Sequence, residues 1–454
     1  MEVLLLGTGS ADGWPNPFCR CASCEAERDA GRLRTPSSAL LDATILIDPG
    51  PEAPRAAERA GVPLDGVRHL LVTHSHPDHL APALLLWRAW AQRREPLSVW
   101  GPPAVVERCR RWLGPADPVH LHAVEAGQEL HLDGYAVRAH RATHGDATTG
   151  SCLLWEVTAP DAATMLWATD TGPLAPDVVA ALPPLDLLLL DATFGDLREH
   201  GADHLDLDGF AETLATLRRA GAVTAATRAV AIHLSHHNPP TAGLAPQLGE
   251  WGAEVVDDGT RLVVGVRPLV RPPAPRRTLL IGGARSGKSR AAERLVAAEP
   301  AVTYVATGGE RPDDPEWVAR VAAHRASRPA TWTTLEIGKP SQLAEVLHGA
   351  SPGDTLLVDC LTLWLTTVLD ETGGWESQDP VETVIAAPVA DLLASLRACR
   401  AWVVLVTNEV GQGVVPPTES GRRFRDAMGR VNAAVAAECD DVRLVLAGRA
   451  LPLP

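Results

Sequence analysis

The stretch that most constrains the fold is a glycine-rich loop, Gly-Gly-Ala-Arg-Ser-Gly-Lys-Ser, at residues 282–289. It follows the apolar, strand-like run 278–281 and precedes the helix-like run 290–298. In that setting, backbone N–H groups of the loop and the N-terminus of the helix bind phosphate groups. Lys288 is predicted to reach the β- and γ-phosphates and Ser289 to bind Mg²⁺. The stretch therefore predicts a nucleotide-binding α/β domain whose loop residues contact the phosphates: Gly282, Gly283, Ala284, Arg285, Ser286, Gly287, Lys288 and Ser289.

Length and one unusual segment indicate two domains. A chain of 454 residues exceeds the usual size of one domain. Residues 268–277 are rich in proline and arginine, and proline favours extended spacers because it cannot donate to a β-sheet ladder. We predict an N-terminal domain at 1–267, a linker at 268–277 and a C-terminal domain at 278–454. The N-terminal half also alternates strand-like with helix-like segments, which predicts an α/β fold there too.

Charge and cysteine content restrict the partners and the compartment. The formal net charge of -15 disfavours binding to nucleic acid or to an anionic membrane surface. No apolar run approaches the roughly 18–20 residues that span a bilayer, and no signal-peptide pattern follows Met1. Three of the eight cysteines lie between Cys19 and Cys24, which fits a metal cluster better than disulfides. A cytoplasmic protein without a membrane anchor is therefore expected.

A histidine-rich run at the end of a strand-like segment predicts a metal centre. Residues 73–79, Thr-His-Ser-His-Pro-Asp-His, place three imidazoles and one carboxylate close together after the apolar run 67–73. Neutral imidazole and carboxylate are suitable ligands for Zn²⁺, Mn²⁺ or Fe. Further polar residues follow later strand-like runs, so the candidate ligands are His74, His76, Asp78, His79, His144, Asp170 and His233.

The pattern His-x-His-x-Asp-His, followed by a later His, Asp and His, resembles the metallo-β-lactamase superfamily. The resemblance implies an αβ/βα sandwich and a hydrolase with two metal ions. It implies that one ion is held by His74, His76 and His144. It implies that the other ion is held by Asp78, His79 and His233, with Asp170 as the bridge. Two metal ions at such a site promote the hydrolysis of phosphoesters, and we expect Asp78 to take part in catalysis as well.

A second set of residues is similar to the phosphodiesterase branch of that superfamily. The set comprises Asp191-Ala-Thr-Phe194, His204 and the segment 232–235, Ile-His-Leu-Ser. The branch includes tRNA 3′-processing endonucleases and cyclic-phosphate phosphodiesterases, and it implies that His204 assists catalysis at the phosphate. Asp191 stands where many relatives have glutamate, and the alternative for His204 is a solvent-facing residue at the start of a helix. Because the chain is acidic, a small phosphodiester is favoured over tRNA as the substrate.

The run Cys19-Arg-Cys21-Ala-Ser-Cys24 predicts a structural zinc site. Three thiolates on a short loop need a fourth ligand to complete tetrahedral coordination. The cyclic-phosphate phosphodiesterases carry a similar cysteine loop, and the resemblance implies that His236 is the fourth ligand. His237 is a less favoured substitute, and three reduced surface thiols are the alternative to a zinc site.

Polar residues at the ends of strand-like runs extend the nucleotide site. The run 356–365 is predicted to be a buried strand that carries Asp359, a Walker B pattern that predicts Mg²⁺ binding. Glu409 ends another strand-like run and is predicted to bind Mg²⁺ or the nucleotide, with a polar strand-to-loop junction as the alternative. A helix-like stretch carries three basic residues, His324, Arg325 and Arg328. The two arginines either stabilise phosphate charge or form a solvated basic face.

From residue 278 onward, six ordered motifs resemble the adenosylcobinamide kinase/adenosylcobinamide-phosphate guanylyltransferase family. They are Gly-Gly-Ala-Arg-Ser-Gly-Lys-Ser, Tyr-Val-Ala-Thr, His-Arg-x-x-Arg-Pro, Asp-Cys-Leu-Thr-Leu-Trp-Leu, Val-Thr-Asn-Glu-Val-Gly-x-Gly-Val-Val-Pro and Arg-Phe-Arg-Asp. The resemblance implies phosphorylation of adenosylcobinamide with ATP or GTP, with Lys288 and Mg²⁺ in catalysis. It also implies transfer of GMP from GTP, through a guanylyl-histidine at His324, to adenosylcobinamide phosphate, which yields adenosyl-GDP-cobinamide. The family further implies a homotrimer.

Together these patterns predict a two-domain cytoplasmic enzyme of cobalamin biosynthesis or salvage. The C-terminal domain is expected to have a P-loop α/β fold with a mostly parallel sheet. The fusion suggests that the first domain is a hydrolase whose phosphoester substrate belongs to corrinoid or nucleotide-loop metabolism. Two alternatives stay open: a nucleotide-binding module that regulates the hydrolase, and a first domain that is a non-catalytic, metal-stabilised scaffold.

Overall fold

The computed structural model describes four stretches of the chain, residues 1–145, 149–265, 276–309 and 328–453. The chain divides into two compact units, Met1–Val270 and Arg271–Pro454. Arg277, which the sequence pattern places in the linker, is instead the first residue of a strand, and residues 268–275 lie outside the described residues. The functional domain boundaries at 267 and 278 stay a prediction. Among the helices that the structure describes, none is long and apolar enough to span a membrane.

The N-terminal unit contains two seven-stranded mixed sheets. Its described strands are β1 (Glu2–Gly7), β2 (Ser38–Leu41), β3 (Ile45–Ile47), β4 (His69–Leu71), β5 (Leu97–Gly101), β6 (Val119–Ala123), β7 (Glu129–Leu132), β8 (Tyr135–Arg141), β9 (Leu153–Thr158), β10 (Thr164–Ala168), β11 (Leu187–Asp191), β12 (Arg228–Ile232), β13 (Ala253–Val255) and β14 (Arg261–Val263). Its described α-helices are α1 (Ala22–Asp29), α2 (Ala53–Arg59), α3 (Ala83–Trp90), α4 (Pro103–Arg110), α5 (Pro176–Ala181), α6 (Leu207–Arg219) and α7 (Thr241–Glu250). The strand orders are β14-β1-β2-β3-β4-β5-β6 and β13-β12-β11-β10-β9-β8-β7.

One apolar core lies between the two sheets. Alternate residues of a strand point to the same face, so each sheet contributes one set of side chains to it. Leu5 and Ile47 of the first sheet and Trp155, Trp167 and Val230 of the second are fully buried there. Each buried aliphatic side chain of this size stabilises the fold by about 1.5–3 kcal/mol. A second cluster packs α2, α3 and α4 on the other face of the first sheet, which agrees with the predicted αβ/βα sandwich.

Parallel strand pairs bring several loops to one edge of each sheet. Neighbours from β3 to β6 and from β10 to β13 are parallel. The carboxyl ends of parallel strands meet at the same edge, where α/β proteins place their ligand sites. The polar segments that follow β4, β10, β11 and β12 therefore approach one another, as predicted. The antiparallel hairpin predicted over the second and third strands is also confirmed.

The C-terminal unit is organised around one seven-stranded sheet. Its described strands are β15 (Arg277–Gly282), β16 (Thr303–Ala306), β17 (Thr333–Glu336), β18 (Thr355–Asp359), β19 (Trp402–Asn408), β20 (Asp441–Leu446) and β21 (Arg449–Leu453). Its described helices are α8 (Lys288–Leu295), α9 (Pro340–Gly349), α10 (Leu361–Glu371), α11 (Val381–Ala398) and α12 (Glu419–Ala436). The order is β17-β16-β18-β19-β15-β20-β21, and every neighbouring pair except β20 and β21 is parallel. The predicted mostly parallel sheet is confirmed.

One strand prediction is wrong in its second half. β18 ends at Asp359, and the residues from Leu361 onward form α10 rather than continuing the strand. In α10 the buried side chains recur at helical spacing and pack one face of the helix into the core, namely Leu361, Trp364, Leu365 and Val368. A continuous apolar run carries no alternation that separates a buried strand from a buried helix.

Candidate metal centre and nucleotide site

Loops from both sheets of the N-terminal unit bring the seven predicted metal ligands together. The histidine-rich loop follows β4, Asp170 follows β10 and His233 follows β12. The ligand atoms form two groups, and the members of each group lie within 4.8 Å of one another. The first group contains His74, His76, His144 and Asp170, and the second contains Asp78, His79, Asp170 and His233. Asp170 belongs to both groups, as expected of a bridging ligand.

The two carboxylate oxygens of Asp170 face different imidazoles. Its Oδ2 lies 3.0 Å from His79 Nε2 and 3.2 Å from His233 Nε2. Its Oδ1 lies 3.9 Å from His74 Nε2 and also 3.9 Å from His144 Nε2. Burial opposes ionisation, but the surrounding imidazoles, chiefly those of His233 and His79, hold the pKa of Asp170 well below its ordinary value. Asp170 is therefore a carboxylate placed between two imidazole sets.

The donor atoms of this centre fit divalent metal ions. The Nε2 atoms of His144 and His233 are buried and have no hydrogen-bond partner among the described residues. A buried polar atom without a partner costs about 1–3 kcal/mol, and coordination to a cation removes that cost. Imidazole nitrogen with carboxylate oxygen is a donor set for Zn²⁺, Mn²⁺ or Fe. The residues are therefore those of a divalent metal centre.

A buried carboxylate that is absent from the predicted ligands, Asp48, supports the second group. Its Oδ2 lies 3.1 Å from His79 Nδ1 and accepts a hydrogen bond from Trp167 Nε1 at 2.9 Å. Its Oδ1 accepts from the backbone N–H of Thr73 at 2.8 Å. Such outer-sphere partners orient metal-binding imidazoles. The sequence feature that could have indicated Asp48 is the run Asp48-Pro-Gly50 at the end of a strand. Glycine is required at position 50 because a Cβ there would lie 1.8 Å from the Asp78 carbonyl oxygen.

Three residues of the centre have left-handed backbone conformations. The φ angle is 47° at Asp48, 48° at Asp170 and 58° at His233. Such values are uncommon for residues other than glycine and persist where surrounding contacts impose them. Such conformations cluster at functional sites, so the backbone of these loops is consistent with a site at this position.

His204 lies beside the first ligand group and forms a pair with Asp191. Its Nδ1 is 3.0 Å from Asp191 Oδ2, and its ring centroid is 4.8 Å from that of His144. Burial disfavours the charged imidazole, but the Asp191 carboxylate outweighs burial and raises the pKa of His204 to about 9. His204 lies two residues before Asp206, the N-cap of α6, and its side chain is 14% exposed, so it is not the solvent-facing residue of the alternative. Thr193, which like Asp48 is absent from the predicted site residues, places its Oγ1 2.8 Å from His233 Nδ1.

The three clustered cysteines come together, and the predicted fourth ligand does not join them. The sulfur atoms of Cys19, Cys21 and Cys24 lie within 4.8 Å of one another, a group that does not include His236 among the described residues. His236 instead places Nδ1 3.4 Å from Asp12 Oδ2, while its carbonyl oxygen is 4.0 Å from Cys21 Sγ. The three cysteines therefore offer three sulfur ligands for a zinc ion, and His236 approaches them with its backbone carbonyl oxygen.

The glycine-rich loop lies between β15 and α8, as predicted. Gly287 has a φ of 95°, a left-handed conformation that glycine adopts without steric cost, and α8 begins directly after it at Lys288. Lys288 is buried, and its Nζ donates to the Gly283 carbonyl at 2.7 Å. Burial lowers the pKa of Lys288, against the opposing effects of Cys360 and Asp359. The loop thus places an ammonium group at the N-terminus of a helix, where phosphate groups bind.

A cavity of about 580 Å³ lies beside that loop. Its lining includes most of the predicted nucleotide contacts, namely Arg285, Ser286, Gly287, Lys288, Ser289, Arg328 and Asp359. Asn408 also lines it, whereas the Glu409 carboxylate accepts a hydrogen bond from the Gly411 N–H at 2.5 Å. Asp359 and Asn408 end two parallel strands, β18 and β19, so the cavity lies at the carboxyl edge of the sheet. His324 and Arg325 lie outside the described residues.

The two halves of the chain match different families of known proteins. Residues 43–234 match the family described as the Beta-lactamase superfamily domain. Ribonuclease Z of Agathobacter rectalis is 28% identical over 151 residues, which cover 32% of this chain and 45% of that protein. With its two mixed sheets and its His/Asp centre, the N-terminal unit has the metallo-β-lactamase fold.

Residues 278–453 match the family described as Cobinamide kinase / cobinamide phosphate guanyltransferase. The bifunctional adenosylcobalamin biosynthesis protein CobU of Escherichia coli is 42% identical over 177 residues, 37% of this chain and 95% of that protein. The corresponding protein CobP of Pseudomonas aeruginosa is 45% identical over 179 residues, 39% of this chain and 96% of that protein. Through residues 278–453, the chain belongs to the cobinamide kinase / cobinamide phosphate guanyltransferase family.

Proposed function

We propose that the C-terminal unit phosphorylates adenosylcobinamide with ATP or GTP and then guanylylates the product. The observation that carries the proposal is the cavity in which Lys288, Ser289 and Asp359 converge at the carboxyl edge of the sheet. In the first reaction, a cobinamide hydroxyl oxygen bonds to the γ-phosphorus, its proton is released to solvent, and the bond from that phosphorus to the bridging oxygen breaks so that the nucleoside diphosphate leaves. Lys288 binds the phosphates, and Ser289 with Asp359 would hold a Mg²⁺ ion, which supplies charge neutralisation when bound.

In the second reaction, we propose that His324 carries the guanylyl group. An imidazole nitrogen bonds to the α-phosphorus of GTP and pyrophosphate leaves. A phosphate oxygen of adenosylcobinamide phosphate then bonds to the same phosphorus, and the N–P bond breaks to release adenosyl-GDP-cobinamide. A covalent intermediate of this kind divides one difficult displacement into two easier ones. Arg325 and Arg328 are proposed to bind phosphate charge during these steps.

Guanylylation of His324 gives a direct test of the transferase. After incubation of the full chain with α-labelled GTP, we expect acid-labile label on the wild type and none on His324→Ala, since a phosphorus–nitrogen bond is lost in acid. His348→Ala, at an exposed histidine of α9, is the matched control and should retain the label. An unlabelled wild type would contradict the transferase and favour a P-loop module that only binds nucleotide.

We propose that the N-terminal unit hydrolyses a small phosphoester of corrinoid or nucleotide-loop metabolism at two metal ions, Zn²⁺ or alternatively Mn²⁺ or Fe. Because Asp170 belongs to both ligand groups, the centre supports two ions. The cluster of Cys19, Cys21 and Cys24 supports one further, structural Zn²⁺. Bound ions would supply Lewis acidity and an activated water. The net charge of -15 favours a small substrate over tRNA. The homotrimer and the cytoplasmic location stay predictions.

The pair of His204 and Asp191 gives the hydrolase a proton donor. The Nδ1 atom of His204 is held by Asp191 Oδ2 at 3.0 Å, so the proton on the opposite ring nitrogen, Nε2, is the one available to a leaving oxygen. Asp191 is fully buried and is also held by the backbone N–H of Leu205 at 3.1 Å, which fixes its orientation. The Oδ2 atom of Asp191 also lies 3.6 Å from His233 Nδ1, so His204 is held beside the proposed metal ligands.

We expect His204→Asn to lower hydrolysis of a phosphodiester with an alkoxide leaving group, such as a 2′,3′-cyclic nucleotide, by about 100-fold or more, because an alkoxide needs a proton to leave and general acid catalysis contributes roughly 10²–10⁴-fold. Metal content, measured by mass spectrometry, should be unchanged because His204 is not among the seven proposed ligands. The control is His131→Asn, whose side chain is 80% exposed and should leave the rate unchanged. Equal rates for both variants would contradict the assignment, and a metal-loaded wild type without activity on phosphodiesters would contradict the hydrolase.

A further inference from the structure

Tyr304, the second residue of strand β16, contacts two different groups of the nucleotide cavity. Its side chain is almost completely buried and is part of the cavity lining. Its hydroxyl donates to Asp359 Oδ2 at 2.8 Å. The guanidinium carbon of Arg328 lies over its ring, 3.2 Å from the ring centroid. One buried side chain thus joins a carboxylate and a cation that belong to different segments of the chain.

The hydrogen bond determines how Asp359 faces the cavity. Asp359 is the last residue of β18, and its carboxylate is free to rotate about the bond to Cβ unless a partner fixes it. Tyr304 occupies Oδ2, which leaves Oδ1 as the oxygen presented to a cation. Carboxylates that bind metal ions are commonly oriented by such a hydrogen bond from a neighbouring group. The hydroxyl of Tyr304 therefore bears on cation binding.

The ring contact determines how Arg328 faces the cavity. The Arg328 side chain is 7% exposed, and among the described residues its acidic contact is Glu293 Oε1 at 3.8 Å from Nε, too long for a hydrogen bond. Nε has no hydrogen-bond partner among the described residues, and Nη1 donates only a long 3.5 Å bond to Thr334 Oγ1. An aromatic face holds a guanidinium without occupying its N–H donors. Those donors then stay available for a phosphate group.

We propose that Tyr304 is a positioning residue of the nucleotide site, with a separate task for each part of its side chain. The hydroxyl orients Asp359 toward Mg²⁺, and the ring orients Arg328 toward the nucleotide phosphates. The proposal rests on the proposed nucleotide-binding function of the C-terminal unit. It goes beyond that function because it predicts that cation binding and phosphate binding are separable by two substitutions at one residue.

Two variants of the full chain separate the tasks. Tyr304→Phe keeps the ring and removes the hydroxyl, and Tyr304→Leu removes both. Equilibrium binding of a fluorescent N-methylanthraniloyl GTP is measured at increasing Mg²⁺ and, separately, in EDTA. We expect Tyr304→Phe to raise the half-saturating Mg²⁺ concentration about tenfold, since losing a hydrogen bond to a charged group changes an equilibrium constant by roughly tenfold or more. The dissociation constant of the nucleotide in EDTA should stay within about twofold of the wild-type value. Tyr304→Leu should raise the Mg²⁺ requirement equally and also weaken binding in EDTA about tenfold.

A further variant keeps the test decisive if Tyr304→Leu fails to fold, as judged by thermal unfolding. Arg328→Gln should then reproduce the weakened binding in EDTA without a change in the Mg²⁺ requirement. An unchanged Mg²⁺ requirement in Tyr304→Phe overturns the task of the hydroxyl, and unchanged binding in EDTA for Tyr304→Leu or Arg328→Gln overturns that of the ring. A wild type that binds no GTP analogue overturns the nucleotide-binding function itself, a result distinct from variants that bind like the wild type.

Discussion

Lys288→Ala is expected to lower the rate of phosphoryl transfer to adenosylcobinamide by about 10²–10³-fold, the cost of removing one preorganised charge-stabilising donor from a transition state. Lys288 is buried at the start of α8, and its Nζ donates to the neutral Gly283 carbonyl at 2.7 Å. Among the described residues, no ion pair neutralises its ammonium group, so its charge is available to the β- and γ-phosphates. The measurement is the initial rate of transfer from γ-labelled ATP with the full chain.

The chain provides a matched control, because its only other lysine is Lys339. Lys339 is exposed, precedes α9 and is not among the residues that line the nucleotide cavity. Lys339→Ala should therefore transfer phosphate at the wild-type rate. Hydrolysis of bis(p-nitrophenyl) phosphate by Lys288→Ala should also be unchanged, since the proposed metal ligands all lie in the other unit. A transfer rate for Lys288→Ala within about threefold of the wild type would exclude the proposed phosphate contact, given the size of the expected effect.

The sequence indicated which residues come together where their chemistry is visible in a short motif. The seven proposed metal ligands and the phosphate loop follow strands, and strand ends at one edge of a sheet converge whatever the connecting segments contain. Residues that act through partners far along the chain were not visible. Asp48 contacts Trp167, which is 119 residues away, and Tyr304 contacts Asp359, which is 55 residues away. No local spacing encodes such pairs, because they depend on how the two sheets pack for Asp48 and on how neighbouring strands pair for Tyr304.

Two other differences have local causes. The apolar run after Asp359 was assigned to a strand because hydrophobicity alone does not separate a buried strand from a buried helix. In the structure this run forms α10, with one face of the helix buried. His236 was assigned to the zinc site through the resemblance to the cyclic-phosphate phosphodiesterases, but its ring lies beside Asp12 while its carbonyl lies near Cys21. The position of a residue in a motif does not fix the direction of its side chain.

Asp170→Asn is expected to lower the metal affinity of the N-terminal unit by at least about 100-fold. Loss of an outer-sphere partner of a metal ligand already lowers metal affinity by up to about 100-fold, and loss of a ligand itself should cost more. Asp170 is the one residue shared by both ligand groups, so the substitution removes a negative charge from both at once. The amide also presents an NH₂ group to one of the imidazole sets, where the carboxylate presents an oxygen to each. Hydrolysis of bis(p-nitrophenyl) phosphate should fall in parallel with the metal content, measured by mass spectrometry after dialysis.

Asp177→Asn is the matched control for this substitution. Its side chain is 73% exposed, and its contact with Arg141, at 3.6 Å, is a surface ion pair worth about 1 kcal/mol or less. Metal content and hydrolysis should therefore be unchanged in Asp177→Asn. In Asp170→Asn, we expect the proposed structural zinc to remain and the two proposed ions of the other centre to be lost, because the cluster of Cys19, Cys21 and Cys24 shares no ligand with Asp170. Retention of all the metal together with full hydrolysis would show that Asp170 does not bridge two ions, and the dinuclear centre would then lose its main structural support.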